Sequence, residues 1–147
     1  MPNNPKKISI NDIEIGMTAN TTKVIKFEDV ANFAQLSGDN NPIHLDKEFA
    51  SKSRYKRNIA HGVLCSSLFS GIFGSQLPGE GCVYTFQSLN FKRPIYIDDE
   101  VEAIITVTEV NLNKNRVRFA TNCYVNKKVC IDGEAEIYIP PTTSEKL

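Results

Sequence analysis

The sequence predicts an α+β domain in which a curved antiparallel sheet wraps around one long buried helix. Two observations carry that expectation. The second half of the chain holds three consecutive runs in which apolar and polar residues alternate, the period of strands with one buried face. Ahead of them lies a stretch without formal charge, Asn58 to Gly79, whose apolar residues surround a helix instead of forming one stripe. A sheet with one apolar face needs a covering layer, and this helix is the available one.

Taken in order, Thr18 to Lys26 reads as a strand. Glu28 to Leu36 follows as a helix with Val30, Phe33 and Ala34 at helical spacing and Gly38 at the C-terminal cap. The stretch DNNPIH, 39–44, reads as a loop in which Pro42 prevents the helix from resuming. A helical turn, Lys47 to Ser51, precedes the basic loop KSRYKRN. The buried helix spans Gly62 to Gln76, with Val63, Leu64, Leu68, Phe69, Ile72 and Phe73 set among Ser66, Ser67, Ser70, Gly71 and Gly74. Such a helix, apolar on most sides with small residues for close approach, must be enclosed by other structure. Val83 to Phe91 is a strand closed by Pro94. Then come Val101, Ala103, Ile105 and Val107; Val117, Phe119, Cys123 and Val125; and Val129, Ile131, Gly133, Ala135, Ile137 and Ile139. Short polar turns, NLNKN and NKK, make these three an antiparallel meander. A hairpin turn at Asn126-Lys127 sets Cys123 opposite Cys130, as packing and not as a disulfide.

The chain has 147 residues, one domain's worth, with a core over about 13–139 and loose ends at PNNPKK and PPTTSEKL. At 41% hydrophobic it can bury a core without disulfides or metals. Seventeen basic residues balance seventeen acidic ones, which argues against a nucleic-acid binder but leaves room for a local basic patch. Cys65, Cys82, Cys123 and Cys130 form no C-x-x-C pair, and His44 and His61 do not fall at metal-site spacing with them. The first residues lack the apolar stretch of a secretory signal, and the uncharged segment is too polar for lipid. The expectation is a cytoplasmic protein with reduced thiols and no membrane segment.

The chemically informative run is LSGDNNPIHLD, Leu36 to Asp46. Asp39 and His44 lie five apart, and loop geometry can turn both toward one small molecule as a carboxylate–imidazole pair. The alternative is that Asp39 caps a turn and His44 is a satisfied core residue. Asn41 and Pro42 make a rigid turn between two titratable groups, which favours the pair.

The run Gly38-Asp39-Asn40-Asn41-Pro42-Ile43-His44 resembles the motif of the MaoC-like (R)-specific enoyl-CoA hydratases of the hot-dog fold. Three further segments agree in order: IEIGM at 13–17, IAHGVLCSSLFSG at 59–71 and FKRPIYIDDEV at 91–101. The second is particularly similar to short single-domain hydratases of polyester synthesis. One departure is Asp98, where the family usually has glycine; aspartate tolerates the same left-handed geometry.

The resemblance implies reversible syn addition of water to a trans-2-enoyl-CoA, giving an (R)-3-hydroxyacyl-CoA. It makes Asp39 and His44 the catalytic dyad, with the identity of the base left open, and the Gly62 N–H the oxyanion donor at a helix N-terminus. It gives Ser70 a supporting role; the alternative is a small residue for helix–sheet contact. Asn41 and Phe73 are its substrate-binding candidates, Phe73 narrowing the acyl tunnel. His61 fixes the loop structurally. Lys52, Arg54, Lys56 and Arg57, and the pair Lys92 and Arg93, are the cations available to CoA phosphates or simply solvated loops. No metal or redox cofactor is implied, CoA being part of the substrate. The family forms homodimers. Two alternatives stand: a 3-hydroxyacyl-acyl-carrier-protein dehydratase and a noncatalytic acyl-CoA-binding module. Zero net charge favours free CoA esters over an acidic carrier protein.

Overall fold

The computed structural model describes residues 7–141. Both expected loose ends lie largely outside that range. Six strands form one antiparallel sheet: β1 (Thr18–Val24), β2 (Val83–Gln87), β3 (Asn90–Phe91), β4 (Glu100–Asn111), β5 (Arg116–Val125) and β6 (Lys128–Tyr138). Their order is β1-β4-β5-β6-β2, with β3 also beside β6. The helices are α1 (Phe27–Ser37), α2 (Pro42–Leu45), α3 (Lys47–Ser51) and α4 (Gly62–Ser75).

The alternating runs bury the expected side. Val101, Ala103, Ile105 and Val107 on β4, Val117, Phe119 and Cys123 on β5, and Ile131, Ala135 and Ile137 on β6 are all within 1% of complete burial. Each large apolar side chain so removed from water contributes about 1.5–3 kcal/mol. Thr121 shares that buried face, and its hydroxyl accepts the Nε2–H of Gln87 at 2.9 Å, satisfying a polar group in the core.

Helix α4 lies across β1, β4, β5 and β6. It buries Cys65, Phe69, Ile72 and Phe73, a single i, i+4, i+7, i+8 stripe. Enclosure on all sides, expected from the apolar surround, does not occur within one chain. Val63, Ser67, Ser70, Gly71 and Gly74 are exposed, because one sheet covers only one side of a helix.

Two further expectations change. Pro42 starts a helix where it was expected to forbid one. It occupies the first turn of α2, where its missing N–H costs nothing, while the Asn41 side chain caps the helix by accepting the Ile43 N–H at 3.1 Å. The hairpin does turn at Asn126 and Lys127, both with positive φ. The register then slips beyond Tyr124, so Cys123 pairs with Ile131 and Cys130 is the extra residue of a bulge. All four cysteines are free thiols. The strand expected at 83–91 is interrupted, as β2 and β3. Asp98 takes the left-handed conformation, φ 77°, that the glycine would have supplied.

Candidate active site

Three elements meet at the site. α1 ends at Gly38 in the left-handed conformation, its N–H donating to the Ala34 carbonyl at 2.8 Å. The chain turns at once into Asp39, whose carboxylate accepts the Asn41 N–H at 3.2 Å and whose N–H donates to Ser37 Oγ at 3.1 Å. α2 then carries His44 inward, and the start of α4 brings His61 and Gly62.

His44 is 9% exposed, and its Nδ1–H donates to the Ile59 carbonyl at 2.7 Å. A carbonyl only accepts, so Nδ1 must hold hydrogen and the neutral ring keeps its lone pair on Nε2. Asn58, not singled out in the sequence, keeps this geometry: its Nδ2 donates to the carbonyls of Ile43 at 2.9 Å and Asp46 at 3.2 Å. No periodicity marks such a residue, because its work is done on backbone carbonyls 12–15 positions away.

His61 is 3% exposed and stacks between His44 (centroids 3.9 Å) and Phe33 (4.8 Å). Its Nε2–H donates to the Asp39 carbonyl at 3.1 Å, while Nδ1 is buried without a partner. Burial lowers its pKa, and the neighbouring His44 adds to that; the Asp39 carbonyl and carboxylate oppose it. His61 therefore fixes the Asp39 loop, as expected. Asp39, His44 and His61 offer ligand atoms within 4.8 Å of one another. Yet the two imidazoles are stacked with their planes 31° apart, so their in-plane lone pairs run side by side instead of converging on a tetrahedral ion.

Gly62 opens α4, where N–H groups have no intrahelical partner and the helix dipole favours negative charge. The glycine leaves room for the Phe91 ring: a Cβ would sit 2.5 Å from it, so a larger residue must push that ring aside. Two cavities share Gly62 and His44 as lining residues. One, about 330 Å³, is lined also by Phe33, Ser37, Asp39, His61 and Val63. The other, about 310 Å³, takes in Arg54, Phe91, Lys92 and Arg93. A larger cavity of about 700 Å³, with Lys47, Lys56 and Arg57, contains none of the expected catalytic residues.

Asp39, His44 and Gly62 are thus brought together, and Ser70 and Phe73 are not among them. Ser70 stands two turns along α4, about 12 Å from Gly62 at the helical rise, and is exposed. Phe73 is 1% exposed, its ring packed edge-on against Tyr84 and Phe119; it lines neither cavity at the dyad because the α4 stripe turns it into the sheet. Asn41 spends its side-chain oxygen on the α2 cap.

Residues 10–129 match the MaoC like domain. The chain belongs to the MaoC-like family. This MaoC-like chain is 42% identical over 129 residues to a 3-hydroxybutyryl-CoA dehydratase of Methylorubrum extorquens, covering 88% of itself and 82% of that protein. It is 40% identical over 134 residues to an (R)-specific enoyl-CoA hydratase of Aeromonas caviae, covering 90% of itself and all of that protein. Among solved structures, an R-hydratase of Pseudomonas aeruginosa superposes with a TM-score of 0.87 at 40% identity, covering 92% of this chain and 88% of that one. The fold of the MaoC-like chain is the hot-dog fold.

Proposed function

We propose that this chain is a hydro-lyase that adds water reversibly to trans-2-enoyl-CoA thioesters, giving (R)-3-hydroxyacyl-CoA. The observation that carries the reading is that Asp39, His44 and Gly62 line one cavity. The names borne by its relatives support it. His44 is the base, because its only free nitrogen, Nε2, carries a lone pair. Water held between Nε2 and the Asp39 carboxylate loses a proton to the imidazole as its oxygen bonds to C3. The alkene electrons shift toward the thioester, and the enolate oxygen takes the Gly62 N–H. A proton returned from the dyad to C2 on the same face completes a syn addition. This chemistry needs no metal or redox cofactor.

The reading includes a homodimer. β2 is an edge strand with Val83, Tyr84 and Phe86 exposed, and the small-residue face of α4 is open. A second copy pairing along β2 would cover both, and would bring structure toward Ser70. A cytoplasmic location is supported by the four free thiols. Among the described residues no helix is long and apolar enough to cross a membrane.

The test is loss of the enoyl-thioester absorbance on mixing with crotonyl-CoA, with chiral analysis of the product. Asp39→Asn and His44→Ala should each lower kcat by about 10²–10⁴, the contribution of a positioned acid or base. Binding of crotonyl-CoA without turnover would make the chain a binding module. Faster turnover of the carrier-protein thioester would make it a carrier-protein dehydratase.

A further inference from the structure

The basic loop after α3 divides between two cavities. Arg54 and Tyr55 line the one that reaches Gly62, whereas Lys56 and Arg57 line the cavity of about 700 Å³ that holds none of the catalytic candidates. No residue lines both that large cavity and either cavity at the dyad. Lys47, Lys56 and Arg57 bring positive charge to it, and among the described residues none of them pairs with a carboxylate. Asp98, the carboxylate in its lining, is already neutralised by Lys26 at 3.6 Å. The cations are positioned by the fold. The Arg57 guanidinium lies 3.9 Å over the Tyr96 ring, and the Tyr96 hydroxyl donates to the Tyr55 carbonyl at 3.1 Å. Stacking occupies the face of a guanidinium and leaves its N–H edge for a ligand. Lys56 keeps a left-handed backbone, φ 70°, where glycine would be the easier residue. Phe27, Leu45 and Ile97 add an apolar wall, and the Phe27 ring is half exposed.

We propose that this cavity is a second ligand site, separate from the one at the dyad, and that it takes a nucleoside polyphosphate. The phosphates lie among Lys47, Lys56 and Arg57, whose charges and planar fork suit phosphate oxygens. The base lies on the apolar wall at Phe27. Clustered cations repel one another until an anion joins them. A volume of about 700 Å³ is in the range of small-molecule sites, and a bare phosphate would leave the aromatic wall unused. The occupant also rests on Asn58, which lines the cavity and holds the carbonyls of Ile43 and Asp46 on either side of His44.

The test is calorimetric titration of the intact protein with metal-free ATP at about physiological ionic strength, where surface charges are screened. A single saturable site is expected, and ATP should raise Tm by mass action. Lys47→Glu with Arg57→Glu should weaken binding by about tenfold or more, as when charges facing an anion are reversed. Lys56→Gln is the milder variant and should weaken it severalfold, while Lys56→Arg should retain it. Unfolding curves without ATP establish that each variant is folded. Inorganic pyrophosphate should bind more weakly than ATP, and Phe27→Ser should erase that difference. Arg54→Glu with Lys92→Glu, which changes the dyad-side cavity, should leave ATP affinity where it was, and so should saturating CoA. Absence of binding, equal affinity for pyrophosphate and ATP, or as large a loss from the Arg54 and Lys92 pair would overturn the proposal. Displacement of ATP by CoA would do the same, by making the cavity part of the substrate's site. The titration needs no turnover, so it succeeds or fails apart from the hydratase reading.

Discussion

The Ile59 carbonyl accepts Nδ1–H from His44 at 2.7 Å, and so only Nε2 is left to take a proton from water. Beside it, His61 is held neutral: its Nδ1 is buried without an acceptor, so protonation there would strand an N–H as well as a charge. The unfolded chain has no such penalty and titrates near the ordinary imidazole value of about 6.5. Since the native pKa is lowered, the unfolded state binds more protons in the window beneath that value. This part of the stability is therefore fully present above it and is lost as pH falls toward the lowered native pKa. Urea midpoints taken between about pH 7.5 and about pH 5.5 should fall, and His61→Gln should flatten the slope. Gly62 has a second residue-scale test. Gly62→Ala forces the half-exposed Phe91 ring aside, and kcat/KM should drop by about ten- to a hundredfold, less than the 10²–10³ of a lost oxyanion donor. Adding Phe91→Ala should recover most of that loss. No recovery would mean that the new methyl obstructs the thioester itself.

At the scale of elements, the site depends on a helix of four residues, Pro42–Leu45, far too short to stand alone. Its existence rests on the Asn41 cap and on Asn58. Asn41→Ala should cost about 0.5–2 kcal/mol, seen as a lower Tm, and a larger share of kcat because His44 rides on that turn. Asn41→Asp should restore both. In the sheet, a Cβ at Gly133 would run into the backbone carbonyl of Ser88, which cannot swing away as a side chain can. Gly133→Ala should therefore destabilise by about 1–3 kcal/mol, measured by thermal unfolding. The alternation of β4, β5 and β6 was plain in the sequence, since each strand has one wet and one dry face. The bulge at Cys130 was not, because one extra residue leaves the composition of a run unchanged while shifting everything past it.

For the whole molecule, the open questions of the single chain coincide at one place. β2 offers a free apolar edge, α4 a bare face of serines and glycines, and Ser70 lies there without a partner among the described residues. The proposed homodimer would set a second copy against the β2 edge. Light scattering should give twice the chain mass, and Phe86→Asp, placing a charge on the exposed edge strand, should yield monomers with a lower Tm. A wild-type monomer of full activity would overturn the homodimer.

By itself the sequence determined the α+β class, the three alternating strands and a helix from Gly62 that packs on the sheet, while the family resemblance singled out Asp39, His44 and Gly62 as the groups to watch. Those are local or periodic properties: a strand's dry face, a helix start and a compact motif are all written in neighbouring residues. Only the tertiary structure decided which nitrogen of His44 is free, that Asn58 braces the site, and that Ser70 and Phe73 stand away from the dyad within one chain. It also brought Arg54 together with Lys92 and Arg93. The reason is physical: hydrogen bonds to backbone carbonyls and contacts between distant segments depend on how the chain closes, and no spacing in the sequence records that.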